Sequence, residues 1–524
     1  MEQGRGDAAA PTVRPGDPRY PVLTSGINQR WRATPGRIRL PRTTAETVAA
    51  VQDAVDADAR LSVRSGGHCF EDFVFHSEVE ALIDMSAMNA VGYDEEHHAF
   101  SVGPGARLLD VYEALFLGWG VTVPGGVCAT VGAGGHVAGG GYGLLSRSLG
   151  LVVDHLHGVE VVVVDDTGRA RAVVATREDT GALGDLWWAH TGGGGGSLGI
   201  VTRYLFRSPG ARGRAPAQAL PEPPAEVLVS ALALPWDRLT PEGFAGLLGT
   251  YGAWHQEHAA PGTPGSALGS LLMLNHRANG SVGLLTQVDA TAPGAEKLLD
   301  AYLDRITEAA GVRPQPVHGP VGEFGPMPEL LRPKRLPWLT AARYIGTNTP
   351  VLNDPTLRGK HKSAYARTAL TEEQLHTVHR HLTRVSPGEH PNPQFMLVAM
   401  SYGGEIAATA PGATAVAQRD SAYKLLYQAF WTDPEDDAAN VARVRELYRD
   451  VYADTGGVPV PGPRSDGAYV NYPDADLGDP AHNTSGVPWS TLYYKENYPR
   501  LQAAKAQWDP GDRFRHAQSI GLPS

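Results

Sequence analysis

Residues 124–143 read PGGVCATVGAGGHVAGGGYG, and nine of these twenty residues are glycine. Two shorter stretches share this character: RSGGHC at residues 64–69 and TGGGGGSLG at residues 191–199. Glycine backbone can approach a ligand closely, and its N–H groups form concave nests that suit pyrophosphate. Tight turns explain any one stretch equally well, whereas three together, two of them after apolar runs, indicate a nucleotide site.

The glycines do not follow the common phosphate-binding motifs. No Gly-x-x-x-x-Gly-Lys-Ser/Thr sequence occurs, which excludes a P-loop. Gly132-x-Gly134 and Gly139-x-Gly141 lack the strand, the helix and the acidic residue about 20 positions later that a Rossmann fingerprint requires. The sequence therefore predicts a nucleotide site of another kind.

Length and composition narrow the class of protein. The chain has 524 residues, of which 42% are hydrophobic and 19% charged, and this predicts a globular protein of two or more domains. The formal net charge is −11, and no stripe of lysine and arginine occurs. Nucleic acid is therefore not an expected partner.

The sequence contains no evident segment for export or membrane insertion. Residues 1–20 are polar and lack the apolar core of a signal peptide, and nowhere do about 18 apolar residues follow one another. We therefore expect a cytoplasmic protein that is not attached to a membrane. Only Cys69 and Cys128 occur, which excludes a disulfide framework and a thiolate-rich zinc site but leaves a single disulfide open.

Local patterns predict an α+β protein. Valines recur at helical spacing within residues 45–57, behind two threonines that suit a helix start. Residues 159–164 and 169–174 predict a β-hairpin that turns through Asp-Asp-Thr-Gly. Residues 208–224 are rich in proline, glycine and arginine and predict a linker. Further predicted elements are strands at 60–63, 81–84, 271–274 and 395–400 and helices at 296–310, 371–385 and 499–508.

His68 and Cys128 each lie inside a glycine stretch. No second His, Asp or Glu stands at ligand spacing from His68, so a metal site is not expected there. Taken alone, a structural histidine and a buried structural cysteine are the better explanations. A functional role for either residue needs a reason to consider the two together.

Such a reason comes from a resemblance that these two stretches carry. Residues 64–68 (RSGGH) and 124–141, together with DLWW at 185–188 and NYPD at 471–474, resemble the berberine-bridge-enzyme-like branch of the FAD-linked oxidases. The resemblance extends over roughly residues 37–520 and is weakest in the middle. It implies FAD held by two covalent bonds, from His68 to the flavin 8α-methyl group and from Cys128 to flavin C6.

The resemblance also implies the fold of the vanillyl-alcohol oxidase and p-cresol methylhydroxylase family. That fold is α+β, with a discontinuous FAD-binding domain of two α+β subdomains and an α+β substrate domain built on an antiparallel sheet. The expected boundaries are residues 1–208 and 457–524 for the FAD-binding domain and residues 209–456 for the substrate-binding domain.

Carried over position by position, the resemblance implies a set of site residues. Tyr472 matches the family's catalytic base, and Tyr142 adds a second tyrosine near the flavin. A phenol is a poor base at neutral pH, so we expect Tyr142, another tyrosine or a cation to lower the pKa of Tyr472. Besides His68 and Cys128, the expected cofactor-binding residues are Arg64, Ser65, Gly66, Gly67, Cys69, Gly125, Gly126, Val127, Val131, Gly132, Gly135, Gly140, Gly141, Gly199, Ile200, Val201 and Asn471.

The function that the resemblance implies is oxidation of an alcohol on a bulky secondary metabolite or sugar, as in actinobacterial enzymes that tailor antibiotics. Hydride would pass from the alcohol carbon to FAD, and O2 would be reduced to H2O2. The enzyme is expected to be a monomer or homodimer. Two alternatives keep the flavin. In one, the flavin serves oxidative cyclisation or carbon–carbon bond formation; in the other, the enzyme is a dehydrogenase that passes its electrons to an acceptor other than O2. A third is a nucleotide-binding protein without catalysis.

Overall fold

The computed structural model of the protein describes residues 10–385 and 390–523. Residues 1–9, which begin the first predicted FAD-binding segment, and residues 386–389 and 524 lie outside the described residues. Within the described ranges the chain forms three β-sheets with helices packed against them. No helix in these ranges is long and apolar enough to cross a membrane.

Two small sheets are built from the first 206 residues. The first contains β1 (Thr12–Val13), β2 (Arg37–Arg39), β3 (Leu61–Arg64) and β4 (Ala81–Asp84) in the order β1-β2-β4-β3, and β2, β4 and β3 are parallel. The second is antiparallel, with β5 (Val91–Asp94), β6 (Ala99–Val102), β7 (Leu156–Val164), β8 (Ala170–Thr176) and β9 (Ile200–Phe206) in the order β5-β6-β9-β7-β8. The helices here are α1 (Tyr20–Leu23), α2 (Thr44–Asp56), α3 (Leu108–Trp119), α4 (Ala133–Ala138), α5 (Ser146–Leu149) and α6 (Gly181–Ala189).

The middle of the chain forms one seven-stranded antiparallel sheet. Its strands are β10 (Glu226–Pro235), β11 (Leu268–Asn275), β12 (Ser281–Asp289), β13 (Lys334–Pro337), β14 (Arg358–Ala366), β15 (Phe395–Ser401) and β16 (Tyr423–Trp431), in the order β13-β10-β12-β11-β15-β16-β14. Its helices are α7 (Pro241–Glu257), α8 (Ala295–Ala310), α9 (Trp338–Thr347), α10 (Glu372–Thr383) and α11 (Asp437–Val451). One cluster of buried apolar side chains joins Tyr204 of β9 to Val229 of β10 and Val398 of β15, so this sheet shares a core with the first part of the chain.

The C-terminal segment packs against the first part of the chain. It contains α12 (Trp489–Tyr494) and α13 (Tyr498–Trp508), and α13 lies on α6. Trp508 Nε1 donates to the Ala182 carbonyl at 2.9 Å, and the fully buried Lys505 donates to the Ser197 carbonyl at 2.8 Å. The expected boundary at residue 208 falls between β9 and β10, and that at residue 456 follows α11.

The locally encoded elements agree with the sequence patterns. The helix predicted at 45–57 is α2, and Thr43 Oγ1 caps it by accepting from the Glu46 N–H at 3.1 Å. The predicted hairpin is formed by β7 and β8, which pair in register from Gly158 with Thr176 to Val164 with Ala170. Both predictions are confirmed.

A buried ionic cluster ties the C-terminal segment to the middle sheet. Lys360 Nζ on β14 lies 2.7 Å from Glu71 Oε1 and 2.8 Å from Asp474 Oδ1, and Lys362 Nζ, two residues along the same strand, lies 2.9 Å from Asp476 Oδ2. Burial lowers the pKa of Lys360, but the carboxylates of Asp474 and Glu71 outweigh burial and raise it above its ordinary value. Lys360 therefore keeps its charge, and the cluster joins segments that are far apart in sequence.

Replacing Lys360 by Met should destabilise the protein markedly. Glu71 and Asp474 would lose their shared cation, and breaking a buried ion pair from one side costs about 3–5 kcal/mol. The measurement is the urea midpoint of unfolding, compared with Lys297→Met, an exposed lysine on α8. Equal midpoints for the two variants would contradict a stabilising role for the cluster.

Candidate active site

A deep cleft lies between the two small sheets and the seven-stranded sheet. Its wall includes residues from all three glycine stretches, strand residues of β11, β15 and β16, and residues 469–473. One continuous space therefore faces both the glycine loops and the antiparallel sheet.

His68 and Cys128 share a single partner at this cleft. His68 Nε2 lies 3.0 Å from Thr130 Oγ1, and Cys128 Sγ lies 3.5 Å from the same oxygen. No hydrogen bond from a described residue engages His68 Nδ1. Cys69 and Cys128 are both free thiols, so the disulfide that the sequence left open does not form.

Burial keeps the two side chains uncharged. Burial, followed by the charges of Arg107 and Arg64, lowers the pKa of His68 to about 4. Burial raises the pKa of the Cys128 thiol above its ordinary value, and it raises that of Cys69 to about 12. At neutral pH the cleft therefore presents an unprotonated imidazole nitrogen at His68, and Cys128 is the less strongly shifted of the two thiols.

The loop that carries His68 and the loop that carries Cys128 meet so closely that only glycine fits at the point of contact. A Cβ on Gly66 would lie 2.4 Å from the backbone nitrogen of Gly132, and a Cβ on Gly132 would lie 2.3 Å from that of Gly66. On the other side, a Cβ on Gly346 of α9 would lie 2.8 Å from the Val127 carbonyl oxygen. These contacts fix the relative positions of His68 and Cys128.

The glycine loops also fit a dinucleotide. No described acceptor pairs with the backbone N–H groups of residues 66–69 or 195–198. A Cβ on Gly135 would meet nothing within 4 Å, and one on Gly195 would come no nearer than 3.8 Å to Gly135. Free amide donors beside open space are the surroundings that a pyrophosphate needs. The residues present therefore fit FAD.

A pair of tyrosines faces the cleft from the side of the seven-stranded sheet. The hydroxyl oxygens of Tyr142 and Tyr472 lie 3.0 Å apart, and Tyr142 also donates to Met400 Sδ at 2.8 Å. Lys424 Nζ of β16 lies 3.4 Å from the ring centres of both Tyr142 and Tyr469. The Lys424 side chain is 1% exposed, and its ammonium group has no hydrogen-bond partner among the described residues.

The pKa of Tyr472 departs from the expectation drawn from the sequence. Burial raises it well above the ordinary value, and the hydrogen bond with Tyr142 lowers it by less than burial raises it. Burial likewise holds the pKa of Lys424 well below its ordinary value. Tyr142 thus acts in the expected direction, but the net shift is upward because the site is buried.

Most of the site residues expected from the sequence do lie on the cleft wall. Those on the wall are Arg64, Ser65, Gly66, Gly67, His68, Cys69, Gly126, Val127, Cys128, Val131, Gly132, Gly135, Tyr142, Gly199, Ile200, Val201, Asn471 and Tyr472. Gly125, Gly140 and Gly141 lie behind it and support it: the Gly141 N–H donates to Tyr469 Oη at 3.2 Å, for example.

Four residues of the site were missed in the sequence. Thr130 and His136 stand within the quoted glycine stretch, and His136 Nε2 accepts from the Gly126 N–H at 3.1 Å. Lys424 and Glu323 come from the middle of the chain, where the resemblance is weakest. No motif marked either residue, because strand pairing brings Lys424 to the Tyr142 and Tyr469 rings and a turn brings Glu323 to the cleft.

Comparisons with known proteins agree with this geometry. Residues 35–171 match a model of an FAD binding domain, and residues 468–521 match the model described as berberine and berberine like. The aclacinomycin-N/aclacinomycin-A oxidase of Streptomyces galilaeus is 48% identical over 97% of this chain and 89% of its own length. The hexose oxidase of Chondrus crispus is 33% identical over 99% and 96%.

A solved structure extends the likeness to three dimensions. The glycopeptide hexose oxidase DBV29, complexed with teicoplanin, superimposes with a TM-score of 0.89 at 42% identity, over 98% of this chain and 99% of that one. The four-stranded mixed sheet and the five-stranded sheet are thus the expected FAD-binding part, and the large antiparallel sheet is the expected substrate-binding part. The chain belongs to the berberine-bridge-enzyme-like family of FAD-linked oxidases.

Proposed function

We propose that this protein holds FAD through covalent bonds to both His68 and Cys128 and oxidises an alcohol carbon on a bulky, glycosylated secondary metabolite or sugar, with O2 as acceptor. The observation that carries the proposal is that His68, Cys128 and the Tyr142–Tyr472 pair face one cleft. The names of the relatives, which include oxidases of aclacinomycin and hexose, support the substrate class.

Attachment is supported by the state of the two side chains. His68 forms its hydrogen bond with Thr130 through Nε2, which leaves Nδ1 free of partners among the described residues. The low pKa of His68 keeps the ring neutral and nucleophilic. Thr130 Oγ1 holds the Cys128 thiol on the same side of the cleft. Close glycine contacts hold the loops of both residues in place, so a group attached to one residue lies within reach of the other.

The tyrosine pair supports the removal of a proton from the substrate hydroxyl. With FAD bound, the flavin would supply the hydride acceptor for the carbinol carbon and the route of the electrons to O2. Tyr472 acts as a base in its tyrosinate form and becomes neutral when it takes the proton of the substrate hydroxyl. Tyr142 stabilises the tyrosinate by turning its hydroxyl from Met400 Sδ to donate a hydrogen bond to the Tyr472 oxygen. Lys424 gains its charge as the tyrosinate forms, because a buried anion and cation stabilise each other.

Variants of the two attachment residues test the covalent bonds. His68→Ala and Cys128→Ala should each retain FAD by one bond, and the double variant should release all FAD on acid precipitation. Cys69→Ala is the matched control and should keep both bonds, since Cys69 is the neighbouring thiol. Acid-stable flavin is measured by absorbance of the precipitated protein. Acid-stable colour in the double variant would falsify the assignment.

Tyr472→Phe should lower kcat by about 10²–10⁴-fold with the flavin still attached, because general-base catalysis contributes about that much. The measurement is anaerobic reduction of the flavin by substrate in a stopped-flow instrument. Tyr93→Phe, a tyrosine remote from the cleft, should keep the wild-type rate. An undiminished rate in Tyr472→Phe would move the base to another residue, and a cyclised product would exclude alcohol oxidation.

Lys424→Met should raise the pH at which the enzyme becomes active. A cation beside the tyrosine pair favours the anion and lowers the pKa of the base, so its removal raises that pKa. The acidic limb of kcat/KM against pH then moves to higher pH. Lys297→Met serves again as the control. Superimposable pH profiles for the wild type and both variants would rule out a role of Lys424 in lowering the pKa of the base.

A further inference from the structure

Glu323 lies on the cleft wall at the tip of a tight turn. Val321 and Phe324 pair with each other on both sides of the turn, at 3.0 and 3.1 Å. Gly322 has a φ of +60°, which favours glycine, and its N–H donates to Asn275 Oδ1 of β11 at 2.8 Å. The turn therefore holds Glu323 in a defined position.

One oxygen of Glu323 is satisfied by the protein and the other is not. Gln428 Nε2, from β16, donates to Glu323 Oε1 at 3.0 Å. No donor among the described residues reaches Oε2, and no described Lys, Arg or His forms an ion pair with this carboxylate. Burial raises the pKa of Glu323, and the hydrogen bond from Gln428 lowers it by less. Oε2 is not among the fully buried polar atoms, and Glu323 lines the cleft, so this oxygen is accessible to a ligand there.

The Glu323 carboxylate differs in its acidic character from the rest of the cleft wall. Glu323 is the one acidic side chain on the described cleft wall. The neighbouring sheet contributes five apolar side chains from alternating strand positions, Leu271, Met273, Val398, Met400 and Leu426, and one polar residue, Ser401 at the end of β15. An unpaired carboxylate in apolar surroundings is costly, and a hydrogen-bond donor that enters with a ligand removes that cost.

Glu323 is also close to the reacting groups. After burial, its charge is among the influences that raise the pKa of both Tyr472 and Cys128. Glu323, Tyr472 and Cys128 all line this cleft, so a ligand that reaches Glu323 occupies the space that also faces the base and the proposed point of attachment. It can present one hydroxyl to Tyr472 and another to Glu323.

We propose that Glu323, held by Gln428, is a specificity-determining residue that accepts a hydrogen bond from a second hydroxyl of the sugar ring that is oxidised. The apolar strand side chains hold the aglycone of the same substrate. This inference rests on the proposed function and adds to it the recognition of a polyhydroxylated ring attached to an apolar body. Glu323 binds and orients the ring, whereas Tyr472 removes the proton.

The test combines variants with substrate analogues. Phenyl hexopyranosides and their monodeoxy derivatives are compared by O2 uptake, and the glycoside oxidised fastest serves as the parent. For the wild type, removal of one particular hydroxyl other than the one that is oxidised should lower kcat/KM about 100-fold, since a hydrogen bond to a charged acceptor is worth a factor of about that size. Glu323→Met should lower kcat/KM on the parent to a similar extent and cause no further loss on that derivative. Glu323→Gln, which keeps one acceptor, should be intermediate.

Controls separate recognition from folding and chemistry. Glu329→Met, an exposed glutamate near the same turn, should behave as wild type on every analogue. In the Tyr472→Phe background, adding Glu323→Met should weaken binding of the parent but not of the derivative, read as the Kd from perturbation of the flavin absorbance. This readout does not depend on turnover.

Two results overturn the inference. One is an equal loss on parent and deoxy derivatives in Glu323→Met, which indicates a general structural or catalytic role. The other is a wild type with equal kcat/KM on the parent and on every monodeoxy derivative that retains the oxidised hydroxyl, which shows that no second ring hydroxyl is bound by an acceptor. If the wild type oxidises none of the glycosides and no other alcohol bleaches its flavin, the proposed function itself fails. This outcome is distinct from the two results that overturn the inference about Glu323.

Discussion

The contact between Gly66 and Gly132 is the constraint on which the site depends. Each glycine occupies the space that a Cβ of the other would need, with separations of 2.3–2.4 Å to the facing nitrogen. Any side chain at either position would push the loops apart. Their contact brings His68 and Cys128, which are 60 positions apart in sequence, to the same Thr130 hydroxyl. One close approach of backbone therefore creates both proposed attachment points.

The opposite side of the cleft is assembled from three separate parts of the chain. Tyr142 belongs to the glycine-rich stretch, Tyr472 to the C-terminal segment and Lys424 to β16. The ionic cluster around Lys360 supports this assembly, because it binds Glu71, three residues after His68, and Asp474, two residues after Tyr472. The loop that carries the proposed attachment and the segment that carries the proposed base are thus held by one buried ammonium group.

The sequence predicted those parts of the molecule whose signals are local. The helix at 45–57 and the hairpin at 159–174 follow from periodicity and capping, and both are present. His68 and Cys128 were better explained as structural residues until the resemblance joined them. Lys424 and Glu323 could not be found, because their roles arise from long-range strand pairing and from burial. The upward shift in the pKa of Tyr472 was missed for the same reason: desolvation depends on the packed structure.

The most direct test of two covalent attachments is mass spectrometry of the wild-type protein after digestion with trypsin. Cleavage after Arg64, Arg107 and Arg147 yields peptides 65–107 and 108–147, which carry His68 and Cys128 respectively. The account predicts a single species in which one FAD joins the two peptides. Recovery of both peptides at their unmodified masses would contradict it.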